Sequence, residues 1–191
     1  MLLITLKHLF LLLISLFILT RAEREILGYR RVSREEAVEI NRRNNIFRES
    51  SYDRLAYDKA EAQIGNGVYL SFTIYSYEKN SDYWWCYVKA DRGKLRRAPK
   101  VWIPESLWGH PESQIASYVR RHLHQGESAD SALRLSRMKS YPNGYDQVLI
   151  PTSMVQNDEL DTFAKCYEED SDVPVKEDVD YDEWTNFRNS Q

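Results

Sequence analysis

The sequence is poor in cysteine and in the residues that punctuate irregular chains. Only Cys86 and Cys166 are cysteines among 191 residues, with seven glycines and six prolines. That composition excludes a disulfide-dense mini-scaffold and a fibrous or low-complexity chain. No Asn-x-Ser/Thr triplet occurs, so N-glycosylation is not expected. The chain has no Gly-x-Ser-x-Gly elbow, no phosphate-binding glycine loop, no dinucleotide fingerprint and no His-Glu-x-x-His. His122 and His124 are two residues apart, which separates them on a helix surface, and the acidic stretches lack EF-hand spacing. No metal is therefore expected. Internal repeats are also lacking.

Only one long apolar run is present, and it stands at the N-terminus. Lys7 precedes an apolar stretch over residues 9–19 broken only by Ser15, and Thr20-Arg21-Ala22 leads into Glu23. A core this short, with a basic start and a small residue before charge returns, predicts a cleavable export signal over residues 1–22. A short membrane anchor is the alternative. With no later apolar run and no lipid-anchor tail, the processed product is expected to be secreted and free of the membrane. The signal carries Lys7 and Arg21 and no acid, so its removal takes the formal charge from −3 to −5. Mild acidity argues against nucleic acid as a partner. In an oxidising export route, Cys86 and Cys166 are expected to form one disulfide. A nucleophilic Cys86 is the competing reading, but Trp84-Trp85-Cys86-Tyr87-Val88 offers no acid–base partner nearby in sequence. Thirteen tyrosines and five tryptophans suit a well-packed core or a stacking site.

Local patterns predict a strand over residues 26–32 and a helix over 34–44, started by the capping box Ser33-Arg34-Glu35-Glu36. Residues 46–63 read as a polar surface loop, followed by a strand after Gly65-Asn66-Gly67. Residues 83–90 are apolar on both faces and read as the central strand of a sheet; 91–97 read as a basic connector and 100–103 as a strand. An amphipathic helix is expected over 112–123, and a short one from Ser128 to about residue 137. Residues 146–150 read as a strand, and a last helix is expected to carry Leu160, Phe163, Ala164 and Tyr167 inward. Residues 168–191 are mostly acidic and read as a partly disordered tail. The expectation is one α+β domain over residues 23–167, a mainly antiparallel sheet with separate helices.

Three segments carry a resemblance when taken in order: Gly28-Tyr29-Arg30-Arg31-Val32-Ser33, Gly65-Asn66-Gly67-Val68-Tyr69-Leu70-Ser71, and Tyr145-Asp146-Gln147-Val148-Leu149-Ile150-Pro151. With them the chain resembles the ADP-ribosyltransferase superfamily, and in particular small secreted fungal effector-like proteins of the heat-labile-enterotoxin-A-like kind. The likeness is concentrated between Gly28 and Val101 and extends more weakly to about Tyr167. It implies a split antiparallel sheet with flanking helices, with NAD as substrate.

In such proteins a first-strand arginine holds the NAD phosphates, a second-strand serine supports the nicotinamide ribose, and a later glutamate stabilises the oxocarbenium-like transition state. The matching positions here are Arg30, Ser71 and Gln147, with Tyr69 placed to stack on the nicotinamide. A guanidinium suits a diphosphate through bidentate bonds, although an ion pair at the sheet is the plainer role for Arg30. Tyr69 reads equally as a core tyrosine. Gln147 can hydrogen-bond a ribose hydroxyl but carries no charge, and losing such a group commonly costs about 10²–10³ in rate. Tyr145, on the same strand face, also departs from the family pattern. Two readings follow: a secreted, monomeric effector directed at a host protein without catalysis, and an active mono-ADP-ribosyltransferase or NAD glycohydrolase toxin. Since free NAD is scarce outside cells, a working enzyme would need delivery into a host cell.

Overall fold

Ser33 closes the first strand and opens the first helix. Its hydroxyl accepts from the Glu36 amide at 3.3 Å, and the helix ends where Asn44 turns left-handed at φ 52°. The computed structural model describes residues 23–58, 62–76, 82–139, 141 and 144–189; the export segment at 1–22 lies outside them. The elements are β1 (Arg24–Ser33), α1 (Arg34–Arg43), α2 (Ser50–Asp58), β2 (Gly67–Ser71), β3 (Tyr83–Asp91), α3 (Arg92–Arg97), β4 (Lys100–Trp102), α4 (Glu112–His122), β5 (Leu133–Arg137), β6 (Asp146–Pro151), α5 (Thr152–Gln156) and β7 (Phe163–Tyr167). They form one α+β domain around a seven-stranded sheet of order β4-β5-β6-β2-β1-β3-β7. All pairings are antiparallel except β4 with β5.

The sheet is nearly two sheets. β1 pairs with β3 along its whole length but meets β2 only at Tyr29 opposite Ser71. Close approach at this seam needs a glycine: a Cβ on Gly28 would lie 2.8 Å from both Leu70 Cβ and Ser71 O. Alternating side chains give each face its own core. On one face Leu27, Val88, Leu70, Val148 and Leu135 pack with Ala37 and Ile40 of α1. On the other, α4 lays Ile115 and Val119 against Val101 and Leu149, while Tyr29, Trp85 and Tyr87 gather around Val173.

Several expectations are corrected by long-range pairing. The region expected as a loop contains α2, and the basic connector is α3, whose first turn is capped by Asp91 accepting from the Lys94 amide at 2.7 Å. β3 is second from the sheet edge, not central; its apolar faces are covered by α1 on one side and by Val173 on the other. Residues 133–137 form β5, because Leu133 and Leu135 point to one core while Arg134 and Ser136 point to the other face. The segment expected to carry Cys166 on a helix is β7. Cys166 lies directly opposite Cys86, and the two are joined by a disulfide.

The acidic C-terminal segment is packed rather than loose over its described residues. Tyr29 Oη donates to Glu177 O at 2.7 Å, and the Val179 amide donates to Phe72 O at 2.8 Å. Tyr181 stacks on Phe72 with centroids 4.7 Å apart, and Trp184 meets the same ring edge-on at 5.4 Å. The segment then pairs with β4 through Phe187 and Lys100. Two asparagines finish the sheet. Asn41 of α1 donates to Cys166 O at 3.0 Å and accepts from Cys166 N at 2.8 Å. Asn189 accepts from Trp102 N at 2.7 Å and donates to Trp102 O at 2.9 Å.

Candidate functional site

Register places a row of polar side chains across the seam. Ser136 on β5, Gln147 on β6, Ser71 on β2 and Tyr29 on β1 are successive cross-strand partners, so their side chains share one face. Ser71 and Gln147 are thus brought together as the sequence reading expected. Both are buried, and both are bonded within the protein. Gln147 Nε2 donates to Ser136 Oγ at 3.1 Å. Ser71 Oγ donates to Thr73 O at 2.9 Å and accepts from the Thr73 amide at 3.2 Å. Gln63, from the loop before β2, closes over Ser136, donating to its Oγ at 3.2 Å and to Arg137 O at 2.6 Å.

Arg30 does not join this row. It follows Tyr29 and therefore leaves the opposite face, as the partner of Cys86 on β3. There its Nη2 pairs with Glu36 of α1 at 2.8 Å, while Nη1 is buried without a hydrogen-bond partner. The ion-pair reading of Arg30 describes its position, and a diphosphate bound beside Ser71 is out of its reach. Arg31 is the β1 arginine on the Ser71 face, and its guanidinium lies 4.8 Å from the Trp85 ring centroid.

Tyr69 is held as a loop anchor. Its hydroxyl donates to Gly65 O and accepts from the Ile64 amide, both at 2.8 Å, and burial pushes its ionisation well above the usual tyrosine range. Tyr145 precedes β6 and meets Tyr141 edge-on with centroids 6.1 Å apart. One buried ion pair went unnoticed in the sequence. Arg134 is 1% exposed, and its Nη1 and Nη2 bind Glu112 Oε2 and Oε1 at 2.9 and 2.7 Å. Glu112 Oε2 also accepts from the Asn66 amide at 2.8 Å. Gly65 is required there: at φ +112° its Cβ would stand 1.9 Å from Arg134 Nη1. The Leu133-Arg134-Leu135 alternation was the available signal for a strand, but nothing local marks Glu112 as the partner.

Among the described residues, three surface grooves open elsewhere. One of about 410 Å³ lies between α1 and α2, floored by Phe47 and Tyr52. Another of about 450 Å³ separates Arg24, Lys89 and Arg92 from the acidic C-terminal segment. A third of about 520 Å³ lies by Trp102, Tyr181 and Phe187. None is lined by Arg30, Tyr69, Ser71, Tyr145 or Gln147. Among the described residues no group of three or more His, Cys, Asp or Glu side chains could hold a metal, and no helix is long and apolar enough to cross a membrane.

Comparison with curated proteins gives no match. One family model matches residues 62–190, from the loop before β2 through the packed C-terminal segment. That span contains the polar row from Ser71 to Gln147, the Glu112–Arg134 pair, both cysteines and Trp184. The chain belongs to DUF5910, a family of unknown function.

Proposed function

We propose that the protein is an exported, non-catalytic effector-like binding protein built on an ADP-ribosyltransferase-like split sheet. The observation that carries this reading is Gln147 beside Ser71 at the seam, its uncharged carboxamide engaged by Ser136. The near-division of the sheet at Tyr29 and Ser71 supports the family likeness. The row from Ser136 to Tyr29 contains no carboxylate to stabilise a positive ribosyl centre and no cation to hold a diphosphate. With Arg30 turned to the other face, these residues do not fit NAD as substrate. The Cys86–Cys166 bridge supports an oxidising, extracellular setting. On this reading the surface engages a host protein.

Incubation of the purified chain with NAD tests the proposal by liquid chromatography of nicotinamide. No release above the uncatalysed background is expected, with or without a guanidino acceptor. Release by the unmodified chain would assign it to the competing reading, an active transferase or NAD glycohydrolase. Gln147→Glu is also expected to stay inactive, because Arg30 leaves the other face, Arg31 lies against the Trp85 ring and Arg134 is held by Glu112.

A further inference from the structure

Helix α2 turns two large apolar residues to solvent. Among its described side chains the buried one is Asp53, a carboxylate that accepts from Arg48 Nε at 2.8 Å and from Thr152 Oγ1 at 2.7 Å. Two of its large apolar residues, Tyr52 and Leu55, are three apart on one side of the helix and stand 47% and 52% exposed. An amphipathic helix normally turns such a stripe toward the core. Here the Tyr52–Leu55 stripe is left facing solvent, while Asp53 is bonded inward. Ile46, buried in the main core, fixes the chain just before it.

The stripe borders the groove between α1 and α2. Phe47 and Tyr52 form its apolar floor, and Glu35, Glu36, Glu39 and Glu49 supply its acids. The cations there are already committed: Arg48 to Asp53, Arg43 to Glu39, and Arg30 to Glu36 from beneath. Glu35 and Glu49 have no cation within ion-pair distance among the described residues and lie exposed on the rim. We infer that this groove and the Tyr52–Leu55 stripe are the docking surface for a basic amphipathic helix of a partner protein. The partner's apolar side chains would pack on Phe47, Tyr52 and Leu55, and its Lys or Arg residues would meet Glu35 and Glu49. A helix laid in a groove with one apolar and one charged edge has this form of recognition. Charge complementarity sets orientation and rate, while the aromatic floor supplies most of the affinity.

This inference rests on the binding-protein reading above and is tested independently of NAD. The probe is a labelled helix-forming peptide of leucine and lysine in amphipathic register, titrated with the full chain expressed for secretion, by fluorescence anisotropy. A leucine–glutamate peptide is the control. The lysine peptide is expected to bind, more weakly at high salt, and the glutamate peptide is not. Tyr52→Ser with Leu55→Ser, and separately Glu35→Lys with Glu49→Lys, should each weaken binding by roughly tenfold or more. The same charge change made by Asp178→Lys with Asp182→Lys should leave it nearly unaltered. None of these side chains takes part in an ion pair among the described residues, and circular dichroism checks that each variant is folded. Failure of the unmodified chain to bind overturns the inference, as does equal loss in the Asp178/Asp182 variant, which would mean attraction to net charge alone. A dimer in sedimentation that Tyr52→Ser dissolves would give the surface to a second copy and overturn it too. None of these outcomes alters the nicotinamide result.

Discussion

Arg30 and Ser71 stand on opposite faces of the sheet although Arg30 directly follows Tyr29, the cross-strand partner of Ser71. The guanidinium therefore serves α1 through Glu36. Removing either side chain leaves the other half-buried and unpaired. Arg30→Ala and Glu36→Ala are each expected to lower stability by about 1–2 kcal/mol, discounted for the partial exposure of Glu36. Together they should cost little more than one alone. Urea unfolding of the two single variants and the double measures the coupling, and strict additivity would remove the pair from the account.

Glu112 is the counter-charge for Arg134, a cation buried to 1% exposure. Glu112→Ala would leave Arg134 uncompensated, a loss of about 3–5 kcal/mol. Gly65→Ala should be comparably damaging, because the added methyl group strikes Arg134 Nη1. Thermal unfolding by calorimetry checks both. A small change in either would mean that the β2 loop can move away from Arg134 without loss.

Lys100 couples stability to alkaline pH. Its side chain is fully buried, with Nζ donating to Leu95 O at 2.5 Å and Ala98 O at 2.9 Å at the end of α3. Burial is the main reason its pKa falls to about 8, with Arg188 acting in the same direction and Glu25 against it. In the unfolded chain the amine keeps its proton until about pH 10.4. Between those values the unfolded state binds more protons, so stability should rise with pH, by up to on the order of 3 kcal/mol. Tyr29 does not oppose this below about pH 10, since its own pKa is pushed up to about 12, chiefly by burial. Urea midpoints at pH 7 and pH 9.5 should show the rise, and Lys100→Met should flatten it.

Trp184 makes the C-terminal segment part of the core. It is buried against Phe72, and Trp184→Ala is expected to cost about 3–5 kcal/mol. Loss of near-ultraviolet dichroism together with a lower unfolding midpoint would verify this. An unchanged midpoint would return the segment to the status of a loose tail.

Sequence patterns revealed what neighbours decide and missed what distant residues decide. Ser33 and Glu36 form their cap within one turn, so α1 was legible with its boundaries. Leu160, Phe163, Ala164 and Tyr167 have helical spacing, yet β3 recruits residues 163–167 as a strand, and Ala164 and Cys166 then alternate inward. Ser128 does cap a turn, but pairing of Leu133–Arg137 with both β4 and β6 takes over beyond it. Acidic composition concealed Val173, Tyr181 and Trp184, which have no regular period because the segment crosses the seam as irregular chain. In the candidate site, Ser71 and Gln147 lie on strands whose phase the sequence showed correctly. The face of Arg30 depends on register with both β2 and β3, which no local pattern records.

The two asparagines at the ends of the sheet close it in both directions. Each offers its carboxamide as one more peptide unit, Asn41 to Cys166 and Asn189 to Trp102, and occupies the donor and acceptor that another chain would use. A carboxamide can accept and donate at once but has no further backbone to extend the ladder. The seven strands therefore form a terminated array: copies crowded together meet side-chain amides at these positions instead of open strand edges, which guards the protein against edge-to-edge polymerisation.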